Sequence, residues 1–345
     1  MTLFKETDMV SDQATPGKWN LTLVAAVAAA LSGAGSAKTA DAPLERVQII
    51  ELKGQAGPLD HLMVDSKHSR LLVANQSNNT LDVVDLRTGK LLRQVEGQKE
   101  IHGIAYAPEL NRVYVGNGEG VCNILDGDDY TLLKSHRVSD ADNVRYDPRN
   151  HRVYVAGEKD LTVIDGKGLE LVGTVKVPGS PEGFQLNSTE PRLYVNTTSP
   201  NRVAVVDTEK NEVIRQYHLP GHKGVETLVL DEANGRIFVG LRGDPMVVVL
   251  DRGSGKEVAR VAIPEGIDDM FFDAKHKNIY ASCGTGSIAV LRQIDADHYE
   301  LVAKIPTIKG AKTCYFDPEA SRLYLAVPRH EGKEGPEVWV YQVRP

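Results

Sequence analysis

Between Gly57 and Pro345 apolar and polar residues alternate in short runs separated by Gly, Asn, Asp and Pro, and the alternation returns at a nearly constant stride. The runs opening at Arg70, Arg112, Arg152, Arg192, Arg236, Asn278 and Arg322 stand 40 to 44 residues apart, and most continue as an aliphatic residue, Tyr or Phe, then Val. Such period-two runs of branched and aromatic residues predict β-strands. Each copy reads as an apolar strand, a turn opening on Asp, the Arg-initiated strand, a polar loop, and two further strands. A unit of this kind cannot bury both its faces alone, so copies must stack, and a closed ring of seven solves the problem. The predicted fold is all-β: a seven-bladed β-propeller of four-stranded antiparallel blades.

The last copy has only the segments 312–316, 323–326 and 337–343, one strand short of a blade. Arg46–Leu52, ahead of the first copy, alternates correctly to supply the missing strand, which closes the circle and removes a free sheet edge. The propeller is therefore expected over residues 43–345. Residues 1–42 differ in kind: the apolar segment Leu21–Leu31, preceded by Lys18 and followed by small residues through Ala37, has the length of an export signal. It is short for a bilayer span. The expectation is a periplasmic or extracellular protein with cleavage after Ala37 or Ala42 and no stable membrane span thereafter; the alternative is an uncleaved anchor.

The repeats Leu71–Lys90 and Tyr194–Glu212 combine Tyr or Leu, Val and a nearby Asn with a Ser/Asn-rich loop, then a Val-x-Val-Val-Asp strand and a turn. This pattern resembles the YVTN β-propeller repeat of exported bacterial and archaeal proteins, and the arrangement over the whole mature chain is similar to the YncE-like branch. The resemblance implies a seven-bladed propeller outside the cytoplasm and no single activity, because propellers serve as lactonases, lyases and plain binding proteins.

A position filled alike in every copy serves the fold. Asp65, Asp147, Asp231, Asp273 and Asp317 at the first turn, and Asp85, Asp126, Asp165, Asp207 and Asp251 after the third strand, are turn formers by this rule. Function is sought where the copies differ. Five residues before the first-turn position stand Asp60, His102, Asp142, Glu182, Glu226, Asp268 and Lys312, all ionisable, at the start of the strands that surround the central channel. The next slot adds His61, Asn143, Thr227, Asp269 and Thr313, with Gly103 and Gly183 in the other two blades. Like charges ~8 Å apart at an effective dielectric of ~20 repel by about 2 kcal/mol per pair. A divalent cation, raised pKa values, a cationic ligand or channel water are the ways to relieve that. Carboxylate and amide oxygens suit Ca²⁺ or Mg²⁺, while His61 and His102 also allow Zn²⁺ or Mn²⁺.

Two functions follow. The first is a binding propeller, monomeric, holding a small molecule, metal ion or partner protein at an acidic channel mouth, with His61, Asn143, Arg329 and His330 contacting the ligand. The alternative is a metal-dependent hydrolase or lyase of the propeller lactonase type. There Asp60, Glu182, Glu226 and Asp268 hold the metal, His102 or Asp269 acts as base, and Lys312 or Arg242 steadies the oxyanion. A net charge of −7 argues against nucleic acid as a partner. The absence of Cys-x-x-Cys-His argues against covalent haem, and Trp339 as the one Trp beyond Trp19 argues against a Trp-docked quinone ring. Cys122, Cys283 and Cys314 form no disulfide framework; Cys283 and Cys314 are placed to be neighbours, but buried free thiols are the simpler expectation.

Overall fold

Residues 42–344 are described by a computed structural model; the apolar segment Leu21–Leu31 lies outside them. The described chain forms seven four-stranded antiparallel sheets. In blades 1 to 6 the strands run consecutively from the channel outward, as in Ile101–Ala107, Arg112–Asn117, Val121–Asp126 and Leu132–Arg137 of blade 2. Blade 7 takes Cys314–Asp317, Arg322–Val327 and Glu337–Val343 from the end of the described chain and Leu44–Glu51 from its start. The closing strand is thus the one expected. Among the described residues no helix is long and apolar enough to cross a membrane.

The core lies between blades. Val113, Tyr114, Val153, Tyr154, Leu193 and Val195 of the second strands are all buried there. In four of its six copies the recurring Arg reaches across the blade boundary to carbonyl oxygens in the neighbour's last turn, while Arg192 and Arg322 bond within their own blades. Arg70 donates to Asp128 O (3.2 Å), Arg152 to Thr208 O (2.9 Å) and Arg236 to Ala296 O (3.2 Å). The Tyr114 and Tyr154 hydroxyls donate to the equivalent turns of their neighbours, at Gly166 O (3.1 Å) and Thr208 O (3.3 Å). The turn aspartates accept backbone N–H groups, as Asp273 does from Lys275 and His276 (both 3.1 Å). In blade 4 Asn187 substitutes for Asp and accepts from Thr189 and Glu190. Cys122, Cys283 and Cys314 are buried and free.

One irregularity positions the site. At the mouth end of the inner strands of blades 2, 4, 5 and 6 two residues face one on the second strand: the register jumps between Ile101 and Ile104, Pro181 and Phe184, Val225 and Thr227, and Ile267 and Asp269. In blade 1 the same bulge shows as Asp60 N–H donating to Ala74 O (2.8 Å) while Ala74 N–H donates to His61 O (3.0 Å), and blade 3 repeats it at Asp142, Asn143 and Ala156. A bulge leaves an extra residue out of the ladder and re-aims its side chain. Here it turns the ionisable slot into the channel. In blades 1, 3 and 7 the regular strand consequently begins two residues after the slot, at Leu62, Val144 and Cys314.

Candidate functional site

The bulges bring Asp60, His102, Asp142, Glu182, Glu226, Asp268 and Lys312 around one cavity of about 230 Å³ at the channel mouth. His61, Asn143, Asp269 and Arg242 line the same cavity. Arg329 and His330 do not. His330 turns to the outer side of blade 7, with Nε2 3.3 Å from Glu337 Oε2 and its ring edge-on to Trp339, and Arg329 is exposed. The reason is Glu337: its buried carboxylate also binds Lys333 Nζ (2.6 Å) and Trp339 Nε1 (2.7 Å), which draws the blade-7 excursion away from the channel.

The mouth is divided electrostatically. On the side of blades 5 to 7, Arg242 Nη2 lies 2.7 Å from Glu226 Oε1 and also pairs with Asp268, while Lys312 Nζ lies 2.7 Å from Asp268 Oδ2. On the side of blades 1 to 3, His102 Nδ1 donates to Asp60 Oδ2 (2.6 Å) and stands 3.9 Å from Asp142 Oδ1. His61 bridges the second layer, with Nδ1 3.1 Å from Asp269 Oδ2 and Nε2 3.7 Å from Asp60 Oδ1. Arg242 and the two imidazoles thus share the work of counter-charge with Lys312.

These contacts set the protonation of the mouth. Burial alone would lower His61, but Asp269 and Asp60 outweigh it and raise the imidazole to about 10. Burial would likewise raise Asp60, yet His61 and the His102 hydrogen bond bring it below the usual carboxylate range. Glu182 is pushed up to about 7 by burial and by Asp142; among the described residues only Thr198 Oγ1 donates to it, at 3.5 Å. Asp142 is raised by burial and by Asp60. Burial first and the abutting Asp268 carboxylate second raise Glu226 to about 9, and the Arg242 guanidinium shared between the two offsets only part of this.

Ligand atoms of Asp60, His102 and Asp142 all lie within 4.8 Å of one another, from three successive blades. Of the four carboxylates assigned to a metal from sequence, Asp60 belongs to this triad, Glu182 stands beside it, and Glu226 and Asp268 face Arg242 and Lys312 instead. Two residues of the site escaped the sequence reading. Gln76, in the short turn Gln76–Asn78, places Nε2 3.2 Å from His102 Nε2. Arg145, one layer down the channel, stacks on the Phe184 ring (5.5 Å) and donates to Val144 O (2.9 Å) in the field of Asp142 and Asp269.

No family model matches the chain. YncE, an uncharacterised protein of Salmonella typhimurium, is 25% identical over 196 residues, 54% of this chain and 54% of that protein. YncE of Escherichia coli is 29% identical over 133 residues, 36% of this chain and 37% of that protein. The chain thus spans about half the length, or less, of the curated relatives it matches. Among solved structures, the hydrazine synthase of Kuenenia stuttgartiensis superposes with a TM-score of 0.70 at 19% identity, covering 82% of this chain and 96% of that one, a likeness of fold alone. The YncE similarity and the seven-bladed ring together support a YncE-like propeller.

Proposed function

We propose that this YncE-like propeller is an exported binding protein whose channel mouth holds a divalent cation on Asp60, His102 and Asp142 and presents it to a small ligand. The observation that carries the reading is the convergence of those three ligand atoms within 4.8 Å. Two carboxylates and an imidazole shift the expected metal from Ca²⁺ or Mg²⁺ toward Zn²⁺ or Mn²⁺. Export rests on the signal-like segment Leu21–Leu31.

Native mass spectrometry of the mature protein loaded with Mn²⁺ or Zn²⁺, paired with thermal melts with and without chelator, tests the cation. One bound ion and a melting temperature that falls on chelation are expected, both abolished in Asp60→Asn and Asp142→Asn. A protein that takes up neither ion and melts identically in both conditions overturns the reading. Glu182, beside Asp142 and raised to about 7, favours a catalytic variant, since a carboxylate with that pKa serves as a general base near neutrality. Metal-dependent ester hydrolysis that Glu182→Gln abolishes while the ion stays bound would establish it.

A further inference from the structure

Asn143 and Thr227 line the cavity, and each is only 6% exposed. Neither the Asn143 amide nor the Thr227 hydroxyl finds a hydrogen-bond partner among the described residues. Their neighbours in the same layer are satisfied: Thr313 Oγ1 donates to Asp60 O (3.0 Å), and Asp269 accepts from Cys314 N–H (3.0 Å) and pairs with His61. Neither group is among the polar atoms sealed from solvent without a partner, so the Asn143 amide and the Thr227 hydroxyl open onto the cavity and are free to bond an occupant there.

The charges around those two groups say what the occupant carries. Lys312 spends one of its three donors on Asp268 and keeps a side chain 35% exposed, and Arg242 is 43% exposed. Both stand on the side of blades 5 to 7, across the mouth from Asp60, His102 and Asp142. Without a metal every cationic side chain of the cavity is already paired with a carboxylate, Arg242 with Glu226 and Asp268, Lys312 with Asp268, His102 with Asp60 and His61 with Asp269, so no surplus positive charge draws an anion. A divalent cation on the triad adds that surplus and leaves open coordination positions. The cavity, at about 230 Å³, is below the ~300–1,000 Å³ typical of sites for drug-sized ligands. A peptide segment or a large cofactor is too big for it.

We infer that the mouth takes up, with the cation, a small hydroxy- or amino-carboxylate. Its carboxylate spans from the cation to Lys312 and Arg242, and its hydroxyl or amino group bonds Asn143 and Thr227. This inference rests on the cation site proposed above and adds the class of its ligand. The cation comes first and the carboxylate second, because the cation supplies the positive charge that the paired side chains of the metal-free mouth do not.

Isothermal titration of the mature protein with L-malate tests it, using succinate as the analogue without the hydroxyl and L-malamide as the analogue without charge. With Mn²⁺ saturating, malate is expected to bind at least tenfold tighter than either analogue, and none of the three binds the metal-free protein. Lys312→Met should weaken malate at least tenfold while the Mn²⁺ electron paramagnetic resonance signal still reports bound metal. Thr227→Val, of nearly equal volume, should erase the preference for malate over succinate without changing the melting temperature. Bound Mn²⁺ with no malate binding, or with malate and succinate equal, overturns the inference and leaves the cation site standing. Failure of Mn²⁺ itself to bind overturns both.

Discussion

At Gly103 a Cβ would stand 2.1 Å from the Asp142 carbonyl oxygen and 2.8 Å from the Val144 nitrogen, both backbone atoms that cannot swing aside. The bare glycine lets blade 3 press against blade 2 at the level of the ring, and this brings the Asp142 carboxylate to His102. Gly103→Ala is expected to force the two blades apart, to cost about 1–3 kcal/mol in a denaturant titration, and to weaken Mn²⁺ binding in the same preparation. A variant as stable as the parent would show that the backbone gives way there easily. The glycine was visible in the sequence as one of two blank slots, but its role was not. Periodicity within one blade says nothing about how close the next blade's backbone comes. The same limit hid Arg145, which occupies a channel position where other blades carry Met63, Gln185, Phe271 and Tyr315. The ionisable ring itself was legible, since its seven members share one repeat position and the repeat fixes their common height in the channel. The departure of His330 was not, because it depends on the buried Glu337 rather than on the loop that carries it.

Among the elements, the strand Leu44–Glu51 bears the closure of the ring. It pairs with Glu337–Val343 through nearly its whole length, buries Leu44 and Ile50 between blades, and stacks Arg46 on Trp339 at 4.1 Å. Its assignment followed from counting strands per copy, and strand number is what a repeat encodes best. The bulges at the mouth were not legible, because they interrupt a strand without altering its alternation enough to mark a boundary. Ile50 is 1% exposed, so Ile50→Ala removes buried volume at the seam and is expected to cost about 2–5 kcal/mol. Trp339 is the one Trp among residues 42–344 and lies in the partner strand, so its fluorescence reports the seam directly. In a urea titration the Ile50→Ala protein should lose the Trp339 signal at a lower concentration than the parent. An unchanged midpoint would mean that the closing strand adds little to stability.

For the whole molecule, the mouth couples folding to pH, and its groups pull in opposite directions. Glu182 at about 7, Glu226 at about 9 and His61 at about 10 all sit above the ordinary values of ~4.3 for Glu and ~6.5 for His, so the native state holds protons that the unfolded chain releases. What these groups contribute is fully present below their unfolded values and is lost as pH rises through the folded ones, across neutrality and up to about pH 10. Asp60 works the other way: lowered in the fold, it contributes above its ordinary value and loses that contribution as pH falls through the folded one. The metal-free protein is therefore expected to be most stable on the acid side of neutrality, with a melting temperature that declines steadily from about pH 6 to pH 9. Glu226→Gln replaces the group that must be uncovered at high pH by one that never ionises, and its decline over that range should be shallower. A divalent cation competes with protons for Asp142, so added Mn²⁺ should stabilise more at pH 8 than at pH 5.5. A parent protein whose melting temperature is flat from pH 6 to 9, or a Glu226→Gln variant with an undiminished slope, would show that the mouth stays hydrated enough to keep its carboxylates near their ordinary values.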